Sequence, residues 1–303
     1  DTPWAKAGTE IAHAQFVSNP MAFERMLKRP DAPLTILESY GTLSIQGESL
    51  CVRFSRRTGQ LVSIRRGGQE YLKAPLRPSF WRASTDNDRG NRTPVRCAVW
   101  RFAGQNCAYA PYTVDAQDAP RGAVRVTSRF TVPSEPESHG TLTYTVTQVG
   151  IQVEMQFLPD GRLPELPEAG VCFEADSRYE TLSFLGRGPL ENYSDRKAAA
   201  ELGLYRIPVE SLYVPYLRPQ ENGARTDVRF ALLEGEKSSL RIESAGEEPF
   251  TLSICRWSPE ELESAAHAKD LPESGRLFVR VLALQMGVGG DDSWGALPQE
   301  EHR

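Results

Sequence analysis

The sequence predicts an all-β protein of stacked antiparallel sheets, with one or two short helices. Two observations support this prediction. Apolar and polar residues alternate with a period of two in many short segments, and turn-forming residues interrupt the chain often, with 24 Gly and 22 Pro among 303 residues. Turn residues that recur about every 8–12 residues are typical of sandwiches and barrels.

The alternation is clearest in the middle of the chain. Apolar and polar residues alternate without a break over 141–147 and over 151–157, with Gly150 between the two runs. A strand with this pattern packs one face on a core and exposes the other. The two runs are therefore predicted to be consecutive strands or a hairpin. Shorter runs predict further strands over 41–54, 122–132, 239–244 and 277–284.

Helical signals are few. Ser258 can cap a helix, Pro259 suits the first helical position, and Glu261 stands at the third. We predict a helix that begins here, runs to about residue 268 and ends before Pro272. A second short helix is predicted over 21–27.

The charge balance excludes several classes of protein. Lys and Arg number 35 and Asp and Glu number 40, which gives a formal charge of −5. A general nucleic-acid partner is therefore not expected. No run approaches the ~18 apolar residues that a membrane span needs, so no membrane association is expected either. The first residues carry neither a basic nor an apolar leader pattern and no initiator Met, so they do not decide the compartment. We expect a cytoplasmic protein.

The cysteines and histidines predict no metal site. No C-x-x-C pair occurs, and none of the four His stands at a ligand spacing. We expect reduced, mostly buried thiols, with a Cys97–Cys107 bridge across a hairpin as the alternative. The five cysteines are Cys51, Cys97, Cys107, Cys172 and Cys255.

Four segments contain more charge, aromatic residues and glycine than ordinary strands, namely 80–90, 186–196, 213–223 and 286–294. In the first, Asp86 and Asp88 flank Asn87. These side chains either satisfy the backbone of an Asx-rich turn or offer oxygen ligands to a hard cation or to sugar hydroxyls. The spacing does not continue as an EF-hand.

The second and third segments combine aromatic rings with amides and carboxylates, Glu221 and Asn222 among them. This mixture grips a sugar by stacking and by paired hydrogen bonds. The alternative is a pair of loops held in shape by their own polar side chains. The G-x-G of the second segment lacks a third glycine, so it is no dinucleotide motif.

The fourth segment has three glycines, then Asp291 and Asp292, then Trp294. A Trp on a polar loop needs burial or a partner surface. It either plugs the end of the sandwich or forms a stacking platform for a pyranose ring. Neither a G-x-S-x-G elbow nor a P-loop is present, and no sequence spacing reveals a glycosidase carboxylate pair.

In this order, the four segments, with Arg225 and Thr226 after the third, resemble the C-terminal domain of glycoside hydrolase family 2 β-galactosidases. The resemblance spans about 34–294 and includes 266–268. Residues 4–16 resemble the end of the preceding immunoglobulin-like domain. We therefore interpret 1–30, with its Pro-rich stretch from residue 28, as the end of that domain plus a linker. Residues 31–303 are interpreted as the C-terminal domain, truncated at its C-terminus.

The resemblance implies a galactose mutarotase-like antiparallel supersandwich. It also implies that the catalytic Glu pair, Mg²⁺ and Na⁺ belong to a TIM barrel on the same or a separate chain. This chain is then expected to hold no catalytic residue, metal or cofactor, and to be inactive alone. By resemblance, Trp294 stacks on a galactoside such as lactose, while Asp291 and Asp292 hold the loop. Further candidates for contact with substrate are Asp86, Asp88, Glu221 and Asn222.

Three points stay open in the sequence. The chain is either a fragment or a natural small subunit, and it is either monomeric or a homo-oligomer. A stand-alone carbohydrate-binding module is the alternative function. An aldose 1-epimerase is weaker, because it needs a general acid and base. Its candidates would be His139, in a predicted turn, and His267, on the predicted helix.

Overall fold

A computed structural model describes residues 1–16, 32–290, 292 and 295–303. The strands in these residues are β1 (Thr35–Glu38), β2 (Thr42–Gln46), β3 (Leu50–Ser55), β4 (Leu61–Arg66), β5 (Gln69–Glu70), β6 (Ala74–Ser79), β7 (Ala108–Tyr109), β8 (Thr113–Asp115), β9 (Ala123–Val132), β10 (Ser138–Thr147), β11 (Ile151–Phe157), β12 (Glu168–Asp176), β13 (Tyr179–Gly188), β14 (Glu201–Pro208), β15 (Arg225–Val228), β16 (Phe230–Gly235), β17 (Ser239–Glu243), β18 (Phe250–Cys255) and β19 (Arg276–Gln285).

Helices are short throughout the described residues. The α-helices are α1 (Asp86–Gly90), α2 (Thr93–Arg96) and α3 (Pro259–Ser264). Single 3₁₀ turns occupy Ala98–Trp100, Ala119–Arg121, Val209–Leu212, Ala268–Asp270 and Glu300–His302. Within the same residues, no helix is long and apolar enough to span a membrane.

The strands form four antiparallel sheets. The first sheet is a meander, β1-β2-β3-β4-β5, and the second has the order β11-β10-β9-β7, with β8 also on β9. The third sheet, β15-β18-β19-β12-β6, joins strands from distant parts of the chain, and the fourth is β14-β13-β16-β17. The all-β, antiparallel fold class is confirmed. The mutarotase-like topology and the division at residues 30 and 31, part of which lies outside the described residues, stay predictions.

One apolar core extends across all four sheets. Phe54, Tyr144, Phe184 and Val279 each come from a different sheet and belong to the same buried cluster. The ring centroids of Phe54 and Tyr144 lie 5.2 Å apart, and this contact joins the first two sheets. Burial of each such side chain stabilises the fold by about 1.5–3 kcal/mol. The core therefore supports the polar segments that connect these strands.

The strands predicted from alternation are confirmed. Runs 141–147 and 151–157 lie in β10 and β11, which pair directly across Val146 and Ile151. The run over 41–54 forms two strands, β2 and β3, because the chain turns between Gln46 and Leu50. The remaining predicted runs lie in β9, β17 and β19.

The predicted helix begins where expected but is shorter. Ser258 Oγ accepts from Glu261 N at 3.3 Å, and Glu261 Oε2 accepts from Ser258 N at 2.8 Å, so the capping box is confirmed. The expectation that the helix reaches residue 268 was wrong. Ala265 is buried and extended, and Asp270 accepts from the His267 backbone to start a separate 3₁₀ turn.

Both histidines considered for epimerase chemistry lie elsewhere than expected. His267 follows α3 rather than lying on it, and His139 lies within β10 rather than in a turn. The second predicted helix, over 21–27, lies outside the described residues.

All five cysteines are free, which excludes the Cys97–Cys107 bridge. Burial raises the pKa of Cys97, Cys172 and Cys255 to about 11 and that of Cys107 to about 12. A thiol of pKa 11 is only about one part in a thousand thiolate at pH 8, and the thiolate is the reactive form. These four side chains are therefore expected to be unreactive in the native chain.

An aromatic disulfide reagent at pH 8 checks this expectation. One thiol, the half-buried Cys51, should react quickly in the native protein, and all five should react after denaturation. The Cys51→Ser variant should lose the fast phase. A fast-reacting thiol in native Cys51→Ser protein would contradict the expectation for the other four.

Candidate functional site

The four polar segments meet at one place in the fold, which we call the junction. Arg82 Nη2 donates to Gly287 O at 2.9 Å, which joins the first segment to the fourth across 205 residues of sequence. Gln220 Nε2 donates to Asp86 Oδ2 at 3.1 Å and joins the third segment to the first. Gly223 N donates to Glu191 Oε2 at 2.8 Å and joins the third to the second. The antiparallel sheets thus bring together segments that the sequence keeps far apart.

The first segment brings a buried ion pair to the junction. Arg82 Nη1 donates to Asp88 Oδ2 at 2.6 Å, and Nη2 donates to Oδ1 at 3.0 Å. Burial lowers the pKa of Arg82, but the negative charges of Asp88 and Glu221 outweigh it and leave the pKa raised. Asp88 also accepts from the Thr85 backbone at 2.8 Å, so it caps α1 as well. The same carboxylate therefore fixes Arg82 and caps the N-terminus of α1.

A second buried cluster surrounds Arg280 on β19. Its guanidinium donates to Glu168 Oε2 at 2.6 Å and to both carboxylate oxygens of Glu221, at 2.7 and 2.8 Å. It also donates to Ser253 Oγ at 2.7 Å. Burial raises the pKa of Glu168. Burial lowers the pKa of Arg280, yet the two carboxylates together leave it raised. This cluster joins β12, β18 and β19 to the third polar segment.

Two adjacent side chains of the second segment bind the third segment and Thr226, which follows it. Asn192 Oδ1 accepts from Thr226 N at 2.9 Å, and Asn192 Nδ2 donates to Leu190 O at 2.9 Å. Glu191 accepts from the backbone of Gly223 at 2.8 Å. These contacts satisfy loop backbone groups from within the protein, as buried backbone requires.

The fourth segment begins a loop that we call the tryptophan loop, residues 287–296. The carboxylate of Asp195 accepts from Val288 N at 3.1 Å and from Gly289 N at 2.8 Å. Asn87, on α1, donates to Val288 O at 3.1 Å. The first end of the loop is therefore fixed between α1 and the turn that carries Asp195.

The second end of the loop also lies on α1. Gly295 has a φ of +94°, and a Cβ there would lie 2.6 Å from Gly90 O, so only glycine fits. Asp292 Oδ1 accepts from Ala296 N at 3.1 Å, and the role of Asp292 in holding the loop stays a prediction. Asp291 and Trp294 lie outside the described residues.

The weaker candidates for substrate contact differ in exposure. Asp88, Glu221 and Asn222 are buried, and Asn222 accepts from Val214 N and donates to Gln220 O. Asp86 is exposed, with 69% of its side-chain surface accessible, and pairs with Arg89. Contact of these four residues with substrate stays a prediction.

Sequence reasoning missed Arg82, Glu168, Asp195 and Arg280 as residues that build the junction. Arg280 carried a signal, because it is a lone charge within the apolar run of β19. A charge at such a position needs a buried counterion. Asp195 carried none, because its partners are backbone amides, which any residue provides.

The described residues contain no group of three or more His, Cys, Asp or Glu side chains placed to hold a metal ion. A pocket of about 100 Å³ lies beside Tyr213 and Trp257. It is smaller than the roughly 300–1,000 Å³ that small-molecule sites usually have.

The described part of the chain is thus an all-β sandwich domain whose buried ion pairs support a loop with both ends fixed. Residues 46–303 match the family described as beta galactosidase small chain. The chain belongs to that family.

Relatives agree with this assignment. The chain is 38% identical to a beta-galactosidase of Priestia megaterium over 98% of its own length and 28% of the relative. It is 35% identical to a beta-galactosidase of Streptococcus thermophilus over 99% of its own length and 29% of that protein. A beta-galactosidase small subunit of Latilactobacillus sakei is 32% identical, over 84% of this chain and 88% of the relative. The chain therefore spans less than a third of the longer relatives and most of the small subunit.

Proposed function

We propose that this chain is the part of a family 2 β-galactosidase that presents Trp294 to a galactoside held in a catalytic TIM barrel. The barrel lies on the same chain or on a separate one. The observation that carries the proposal is the tryptophan loop, because four distant segments of sequence converge to fix both of its ends. The family membership and the relatives named beta-galactosidase support the same reaction.

Fixed loop ends suit a stacking residue. An indole ring covers the apolar C–H face of a sugar and excludes water from it. A side chain held near its bound position loses less conformational entropy when the sugar arrives. Trp294 lies between Asp292, which bonds the loop backbone, and Gly295, which packs on α1. The fixed ends therefore suit a loop that presents an indole ring to a sugar.

We assign hydrolysis to the barrel portion. Retaining glycosidases need two carboxyl groups about 5 Å apart that both reach the substrate. Glu168 and Glu221 are both buried and both bind the Arg280 guanidinium. They hold the fold together, and we assign the catalytic Glu pair and the ligands of Mg²⁺ and Na⁺ to the other portion.

The proposal has three further parts: substrate, partner and compartment. The substrates are terminal β-galactosides such as lactose, and the partner is the barrel portion, with a homo-oligomer as a further assembly. The reaction takes place in the cytoplasm.

Hydrolysis of o-nitrophenyl β-galactoside tests the proposal. The chain alone should be inactive, and mixing it with a polypeptide that carries the catalytic barrel should raise activity above that of the barrel alone. The unfolded chain is the control. Turnover by the chain alone would show that it holds its own catalytic carboxylates and would contradict the proposal.

A further inference from the structure

We propose that Asp195 is a positioning residue for galactoside hydrolysis, because its carboxylate sets the place of the tryptophan loop. The inference rests on the proposed function of Trp294. Asp195 Oδ1 accepts from Val288 N at 3.1 Å, and Oδ2 accepts from Gly289 N at 2.8 Å. A carboxylate that receives two successive amides holds both position and orientation, since charge-assisted hydrogen bonds are about twice as strong as neutral ones.

The turn beneath Asp195 is itself fixed. Tyr193 and Arg196 exchange two backbone hydrogen bonds, of 3.2 and 2.9 Å, with Asp195 between them. Tyr193 is buried and packs with Ala224 and Val288. The first end of the loop is thus held by an apolar contact through Val288 and by the carboxylate.

The carboxylate of Asp195 binds the tryptophan loop and forms no ion pair within the described residues. Among the ion pairs of the described residues, none joins Asp195 to a Lys, Arg or His, whereas neighbouring Glu191 pairs with Arg196. The hydrogen bonds of its carboxylate go to the amides of Val288 and Gly289. A carboxylate with these partners affects the loop more than the rest of the fold.

Gly287 shows how closely the carboxylate approaches the loop. A Cβ at this position would lie 2.5 Å from Asp195 Oδ2, 2.6 Å from Cγ and 3.1 Å from Oδ1. These are the three nearest atoms, and all belong to Asp195. A methyl group at residue 287 therefore conflicts with the Asp195 side chain, and removal of that side chain should relieve the conflict.

Amide hydrogen exchange tests the contact directly. In the Asp195→Ala variant, exchange at Val288 and Gly289 should accelerate about tenfold or more, as the loss of two charge-assisted bonds implies. Asp195→Asn keeps one acceptor oxygen and should give an intermediate rate. Asp115→Ala is the matched control, since Asp115 also accepts from a backbone amide, that of Gln117, but lies on β8. Unchanged exchange at Val288 and Gly289 would overturn the proposal.

Kinetics of the assembled enzyme test the consequence. Asp195→Ala should raise KM about tenfold, and Asp195→Ala with Trp294→Ala should be no worse than Trp294→Ala alone, because both changes act through one ring. If the effects of Asp195→Ala and Trp294→Ala on KM were fully additive in the double variant, the positioning role would be overturned. Altered exchange with no effect of Trp294→Ala on kcat or KM would instead reject the proposed function and leave the loop contact standing.

The Gly287→Ala substitution gives an independent check. Alone, it should accelerate exchange at Val288 and Gly289, and combined with Asp195→Ala it should add nothing to the Asp195→Ala rate. An additive effect of the two substitutions would show that the methyl group meets something other than Asp195 and would count against the proposal.

Discussion

Replacement of Arg280 with Met is expected to lower the free energy of unfolding by about 3–5 kcal/mol, the usual cost of leaving a buried charge without its partner. The substitution would leave Glu168 and Glu221 buried with like charges and no cation between them. Urea denaturation, read as the shift of the midpoint at constant slope, measures the loss.

Arg206→Met is the control for this prediction. Arg206 pairs with Glu234 at 3.4 Å, but 67% of its side chain is exposed. A surface pair of this kind contributes about 0–1 kcal/mol. If Arg280→Met cost no more than Arg206→Met, the buried cluster would not support the fold.

The pH dependence of the stability loss provides a second test. The quantity is the deficit, that is, the free energy of unfolding that Arg280→Met removes. Burial already raises the pKa of Glu168, and loss of the cation raises it further. A carboxyl whose folded pKa is raised destabilises the fold only while it is ionised. The deficit should therefore be full above the folded pKa of Glu168. It should shrink as the pH falls from that value in the variant toward the lower folded pKa of Glu168 in the unsubstituted chain, because below the latter both chains hold this carboxyl protonated. A deficit that grows over this range would contradict the account.

Trp294→Ala is expected to weaken galactoside binding in the assembled enzyme by about 1–3 kcal/mol, the contribution of an aromatic stacking platform. This corresponds to a rise in KM of about 5- to 150-fold. Steady-state hydrolysis of o-nitrophenyl β-galactoside measures it. Trp294→Phe keeps an aromatic face and should retain part of the affinity, and unchanged kcat and KM in Trp294→Ala would reject the role of this residue.

Local features of the fold were predictable from the sequence. The strands β10 and β11 follow from alternation within a few residues, and the start of α3 follows from Ser258, Pro259 and Glu261. The end of α3 was not predictable, because a tertiary event decides it. Ala265 is buried, and Asp270 caps a new turn. Patterns along the chain report local preferences, and packing overrides them where a segment ends.

The candidate site was predictable only in part. Its segments could be recognised by composition, yet nothing in the sequence placed Arg82 against Gly287, which follows it by 205 residues. That contact depends on the order of the third sheet, in which β19 lies beside β12 and β12 beside β6. Asp88 and Glu221 were candidates for contact with a sugar because they are polar residues in unusual segments, and that contact stays a prediction. The structure shows both of them paired with buried arginines.

The central claim is that residue 294 contacts the substrate while the catalytic groups lie elsewhere. A structure of the assembled enzyme with a bound galactoside measures this most directly. The account predicts that the indole face of Trp294 lies within about 4 Å of a sugar ring, with the catalytic carboxylates contributed by the barrel portion. A galactoside bound with no atom of residues 291–294 in contact would contradict the account.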